Sequence, residues 1–206
     1  ILTPLTFGTI ALAEPGIAVL YQRGQFGADE VLKTAGVLAY FSIGMLGAGL
    51  NGLIAKAFYA VQDSKTPMQI GFLAILLNIT FSLLLIKSMA YNGLALATSL
   101  AAMLVVIPYA ILLRKKVGQL NYGHAFIILL KSTGAALLMS IAAQVIYRVL
   151  INTLTNGLLS QLVALLIAVG GGIIIYLVLM WVLRVKEIAV ILNSLIGIRK
   201  ELFRTG

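Results

Sequence analysis

In an otherwise apolar chain, the side chains able to do chemistry gather in one stretch, Lys56 to Pro67. Asp63 is placed to accept backbone N–H groups in a turn, and Thr66-Pro67 sets a hydroxyl and a fixed φ where a helix would begin. Phe58 and Tyr59 end the preceding apolar run as an aromatic pair suited to a membrane interface, and Lys56 can extend from there toward the headgroups. That chemistry is structural: it shapes a short connection between two membrane helices. A second group, Asn78, Ser82 and Thr98, offers neutral oxygens. Asn78 and Ser82 lie four residues apart, hence on one helical face. Thr98 falls on the next, antiparallel helix, so the three form a candidate polar cluster whose plainest use is interhelical hydrogen bonding. Glu14, beside Pro15, is an acid inside an apolar run; it reads either as a carboxylate near the headgroups at a kink or as one facing a cavity.

The chemistry that is missing is equally informative. A membrane enzyme acting on a pyrophosphate gathers acids around Mg²⁺, whereas this chain has six acids in all, of which only Glu14 falls well inside a span. Cysteine is absent, which excludes disulfides and thiolate sites. His124 has no partner at metal-ligand spacing. Gly44, Gly47, Gly49 and Gly52 sit in a helix-length apolar run with no strand before it, so they read as close helix packing and not as a phosphate loop. No catalytic residue and no resident cofactor are expected. The net charge of +9 comes from residues bordering apolar runs, where Lys and Arg set topology and meet anionic headgroups, so nucleic acid is not an expected partner.

These groups must be positioned by membrane helices. With 61% hydrophobic residues, 10% charged and a mean hydropathy of +1.08, the chain is an all-α polytopic bundle embedded in lipid. Apolar runs predict six spans, at 1–21, 31–60, 68–86, 93–113, 126–150 and 157–183, followed by a basic tail over 186–206 suited to the membrane surface. The first run lacks a methionine and a basic flank and carries Pro4 early, which reads as a piece of a longer transporter whose N-terminal helices lie upstream. Arg23 and Gly24 close the first helix, Gly24 being free to take a positive φ, and Phe26 follows. Gly170, Gly171 and Gly172 leave a notch in the middle of the last span, open either to a lipid chain or to a close neighbour. Lys56, Lys65, Arg114, Lys115, Lys116, Lys131, Arg184, Lys186, Arg199, Lys200 and Arg204 fall on one side, against Arg23, Lys33, Lys87 and Arg148 on the other. That asymmetry places the C-terminus in the cytoplasm.

The Phe58-Tyr59, Asp63 and Thr66-Pro67 spacing, with the Arg23-Gly24 and Phe26 turn, resembles the lipid II flippase (MurJ/MviN) family of the wider multidrug, oligosaccharidyl-lipid and polysaccharide exporter superfamily. The resemblance implies a bacterial cytoplasmic-membrane transporter with two six-helix lobes and two extra C-terminal helices, moving an undecaprenyl-linked peptidoglycan precursor outward by alternating access. Residues 1–116 would then be the last four helices of the second lobe, 117–185 the extra pair and 186–206 the tail. Candidate substrate contacts are Glu14, Lys56 and Gly171, the last through the groove for the isoprenoid chain that the resemblance implies; the wider superfamily's cation-coupled members further imply a coupling cation, sodium or a proton, with sodium near Asn78, Ser82 and Thr98. The alternative is another exporter of the superfamily, for polysaccharide-lipids or drugs.

Overall fold

A computed structural model describes residues 2–118, 122–153 and 157–183. The basic tail 186–206, Arg184 and the side chain of His124 lie outside the described residues. The helices are α1 (Leu2–Tyr21), α2 (Ala28–Ala60), α3 (Lys65–Leu104), α4 (Val106–Val117), α5 (Tyr122–Thr153) and α6 (Leu158–Val182), with no strand among the described residues. Helices suit this chain because a bilayer core supplies no partner for free backbone groups. Five helical stretches are long and apolar enough to cross a membrane, where six spans were expected.

The difference lies in the stretch Lys65–Val117, which joins the expected third and fourth spans. In a straight helix Asn78 and Thr98 would stand about 30 Å apart, yet Asn78 Nδ2 lies 3.3 Å from Thr98 Oγ1. The chain therefore folds back. Ala90, at φ 47 and ψ −127, breaks the helix, giving two antiparallel arms at 65–89 and 91–104. Gly93 makes the bend feasible, since a Cβ there would fall 2.5 Å from the Leu85 carbonyl oxygen. The turn expected over Lys87 to Gly93 is thus nearly loopless. The second arm continues into α4, and the break at Val105 precedes Pro108, which has no N–H to give the Leu104 carbonyl.

α1 is the spine: it packs against α2 on one side and against α5 and α6 on the other, while α2 also packs against α3 and α4. The α2–α3 crossing is held by small residues. A Cβ on Gly44 would meet the Ser99 Cα at 2.7 Å, and one on Gly47 the Ala102 carbonyl at 2.7 Å. This proximity lets Ser99 Oγ donate to the Tyr40 carbonyl at 2.6 Å and Asn51 Nδ2 to the Ala102 carbonyl at 2.8 Å. At the junction of α1, α5 and α6, the buried Thr3, Ser132 and Tyr176 hydroxyls bond to one another.

Gly47→Leu should destabilise the protein by about 1–3 kcal/mol, because its side chain meets backbone and not a movable side-chain end. Gly52→Ala, with open space at the Cβ, should be neutral or stabilising by up to about 1 kcal/mol. Equilibrium unfolding in detergent checks both.

Candidate functional site

α2 ends by turning its chain through Gln62, which adopts φ 58 although it is not glycine. The Asp63 N–H then reaches the Phe58 carbonyl at 2.9 Å and the Gln62 N–H the Tyr59 carbonyl at 3.0 Å. These two bonds make a Schellman closure of the helix. Asp63 next caps α3: its Oδ1 accepts the Lys65 and Thr66 N–H groups, each at 3.1 Å, and its Oδ2 accepts the Thr66 hydroxyl at 2.5 Å. The same oxygen also pairs with the Lys116 ammonium at the end of α4. Asp63 is buried whereas Lys116 is half exposed, and theirs is the only ion pair among the described residues. One carboxylate thereby joins the end of α2, the start of α3 and the end of α4.

That environment holds the Asp63 carboxyl well below the usual carboxylate range, first through the hydrogen bond from Lys116 and then through those from Thr66. Sequence reasoning found the turn but not Lys116, because nothing in local spacing points to a residue so distant in the chain. Pro67 is buried in the first turn of α3, and Tyr109 donates to its carbonyl at 3.4 Å. Phe58 does not sit at an interface as expected. It is completely buried against Ile70, Val105, Tyr109 and Leu113, because the close α2–α3–α4 packing brings α4 over this face. Its neighbour Tyr59 and Lys56 do face outward.

At the opposite end, Gly24 takes φ 58 in the turn after α1, the Phe26 N–H bonds to the Arg23 carbonyl at 3.1 Å, and the Tyr21 and Phe26 rings lie 6.1 Å apart. Arg23 is exposed just past the helix end, not in its last turn. Within the bundle, Asn78, Ser82 and Thr98 do come together: Ser82 Oγ donates to Asn78 Oδ1 at 3.0 Å, Asn78 Nδ2 donates to Thr98 Oγ1, and Thr98 Oγ1 donates to the Leu94 carbonyl at 3.1 Å. These oxygens are engaged with each other, and no group of three acids or His residues that could hold a metal occurs among the described residues. All three groups are neutral, so they offer a cation oxygens but no counter-charge.

Gly171 faces α5, where its Cβ would meet Ile146 Cδ1 at 3.1 Å, and Gly172 abuts Ala143. Helix packing fills the expected notch at these two positions, and only Gly170 faces open space. Glu14 lines a cavity of about 510 Å³ between α1, α2 and α5, together with Gln144, Tyr147 and Arg148. Pro15 opens this side of α1. It cannot donate to the Ala11 carbonyl, Leu12 leaves helical geometry at φ −110 and ψ 15, and Gln144 Nε2 donates to the freed Ala11 oxygen at 3.2 Å. Nothing in the sequence pattern pointed to Gln144.

A family profile described as "Lipid II flippase MurJ" matches residues 1–196. The chain belongs to the MurJ family. A "Probable lipid II flippase MurJ" of Bdellovibrio bacteriovorus is 26% identical over 93% of this chain and 36% of its own length. One of Rickettsia prowazekii is 36% identical over 48% of this chain and 20% of its own length. A solved structure titled "Lipid II flippase MurJ, inward closed conformation" superposes with a TM-score of 0.69 at 26% identity, covering 91% of this chain and 37% of that one. The chain thus spans about a third of the MurJ proteins it matches over most of its own length. It is a multi-pass membrane protein of that family.

A carboxyl with a depressed folded pKa contributes stability that is present above its unfolded pKa of about 4 and is lost as pH falls toward the folded value. The stability advantage of the native protein over Asp63→Asn should therefore hold from pH 8 to about 4 and shrink only below that. A thermal unfolding series against pH checks this; an advantage already gone at pH 6 contradicts the clasp. Gln62→Gly should raise stability by about 0.5–1 kcal/mol, since glycine tolerates the left-handed backbone.

Proposed function

We propose that the chain is part of a lipid II flippase that carries an undecaprenyl-linked peptidoglycan precursor across the bacterial inner membrane by alternating access. The observation that carries this reading is the agreement of helix arrangement with the inward closed flippase over nearly the whole chain. Asp63, the acid of the signature turn, is spent on a cap and a clasp, a structural role that suits a transporter. In this reading Asp63 and Lys116 are positioning residues that make α2, α3 and α4 move as one body during rocking. Lys56 stands exposed at the same end, placed to meet the anionic substrate headgroup or lipid phosphates.

By helix order this end also carries Lys65, Arg114, Lys115, Lys116 and Lys131, so it faces the cytoplasm, as does the C-terminus. Asn78, Ser82 and Thr98 fasten the two arms of α3. A coupling cation there requires those bonds to open and an acid from another part of the complete transporter.

In the complete protein reconstituted in vesicles, Asp63→Ala should slow translocation of a fluorescent precursor while leaving its binding affinity near that of the native protein. A lost affinity with normal turnover makes Asp63 a substrate ligand instead, and absence of precursor movement in the native protein overturns the function. Cysteines placed at Ser64 and Asn92 should label from opposite faces of the membrane, Ser64 from the cytoplasm.

A further inference from the structure

The cavity between α1, α2 and α5 plays no part in the clasp, and its lining is unusual for a membrane helix bundle. Glu14 and Arg148 both border it, and both are exposed toward it without forming an ion pair with each other. The site is built: the Pro15 break frees the Ala11 carbonyl, and the bond from Gln144 to that oxygen fixes the break from the α5 side. Ile10, Leu12 and Leu32 supply apolar wall. Its volume of about 510 Å³ lies within the range of small-molecule sites.

We propose that this cavity binds the headgroup of a zwitterionic phospholipid, with its ammonium against Glu14 and its phosphodiester against Arg148. Charge complementarity selects this class. A purely anionic ligand leaves the Glu14 carboxylate uncompensated at the edge of hydrocarbon and a purely cationic one leaves the Arg148 guanidinium so, whereas a zwitterion pairs both. Depth selects a lipid over a soluble zwitterion. α5, with its 32 residues, is about 48 Å long against a hydrocarbon core of about 30 Å, leaving roughly 9 Å of overhang at each end. Arg148 lies about 7.5 Å from the end of α5, which sets its guanidinium at the level of phosphates, and the apolar wall beside it accepts the start of the acyl chains.

The test is native mass spectrometry of the complete, delipidated protein offered phosphatidylethanolamine and phosphatidylglycerol at equal concentration. These share the phosphodiester, and only the first carries an ammonium. The native protein should retain phosphatidylethanolamine about tenfold more strongly, the worth of one charge-assisted contact. Glu14→Gln should remove that preference while leaving phosphatidylglycerol unchanged, and Arg148→Gln should weaken both. Equal retention of the two lipids by the native protein overturns the proposal without reference to any variant. So does a preference that survives Glu14→Gln. A third contrary result is a double variant no less stable in lipid-free detergent than either single one, the mark of a direct Glu14–Arg148 pair. None of these readouts depends on transport, so the site can fail while the flippase reading stands.

Discussion

A backbone group that leaves its helix ladder inside a bilayer has no water to turn to, and backbone groups throughout this bundle are met by side chains or by the chain itself. At the end of α2 the freed carbonyls of Phe58 and Tyr59 are taken by the Schellman turn, and the open N–H groups at the start of α3 by Asp63. In α1 the carbonyl abandoned by Pro15 is taken by Gln144. Asn51 and Ser99 reach backbone carbonyls across the α2–α3 crossing, where Gly44 and Gly47 bring the helices close enough. Polar side chains in this protein mostly serve the backbone.

The distribution of those contacts divides the bundle mechanically. α2, both arms of α3, and α4 are tied at one end by Asp63 and Lys116 and at the other by the bend at Ala90, with the glycine crossing between. α5 and α6 reach α1 through the hydroxyl junction and the Gln144 bond. α1 therefore stands between two tied groups, and its ladder is interrupted at Leu12, where Gln144 ties it to α5.

Much of this was legible in residue order. Asp63 before Thr66-Pro67 announced a capped turn, Gly24 a positive φ, and the four-residue spacing of Asn78 and Ser82 a shared face that Thr98 does meet. What stayed hidden depended on residues far apart in the chain. Phe58 looked interfacial because an aromatic at a helix end has two environments open to it, and only the packing of α4 decides between them. Gly171 looked like a notch because a missing side chain does not say whether Ile146 occupies the space. Gln62 in a left-handed conformation had no sequence signal at all, since its backbone is held by the closure around it. The expected six spans and the observed five stretches differ only because a bend centred on a single residue, Ala90, does not interrupt the helix as a loop would.

That bend also bears on when contacts can form. The arms on either side of Ala90 are neighbours in the chain as well as in space, so the bond that Asn78 donates to Thr98 and the one that Ser82 donates to Asn78 need no other helix and can form as soon as both arms are helical.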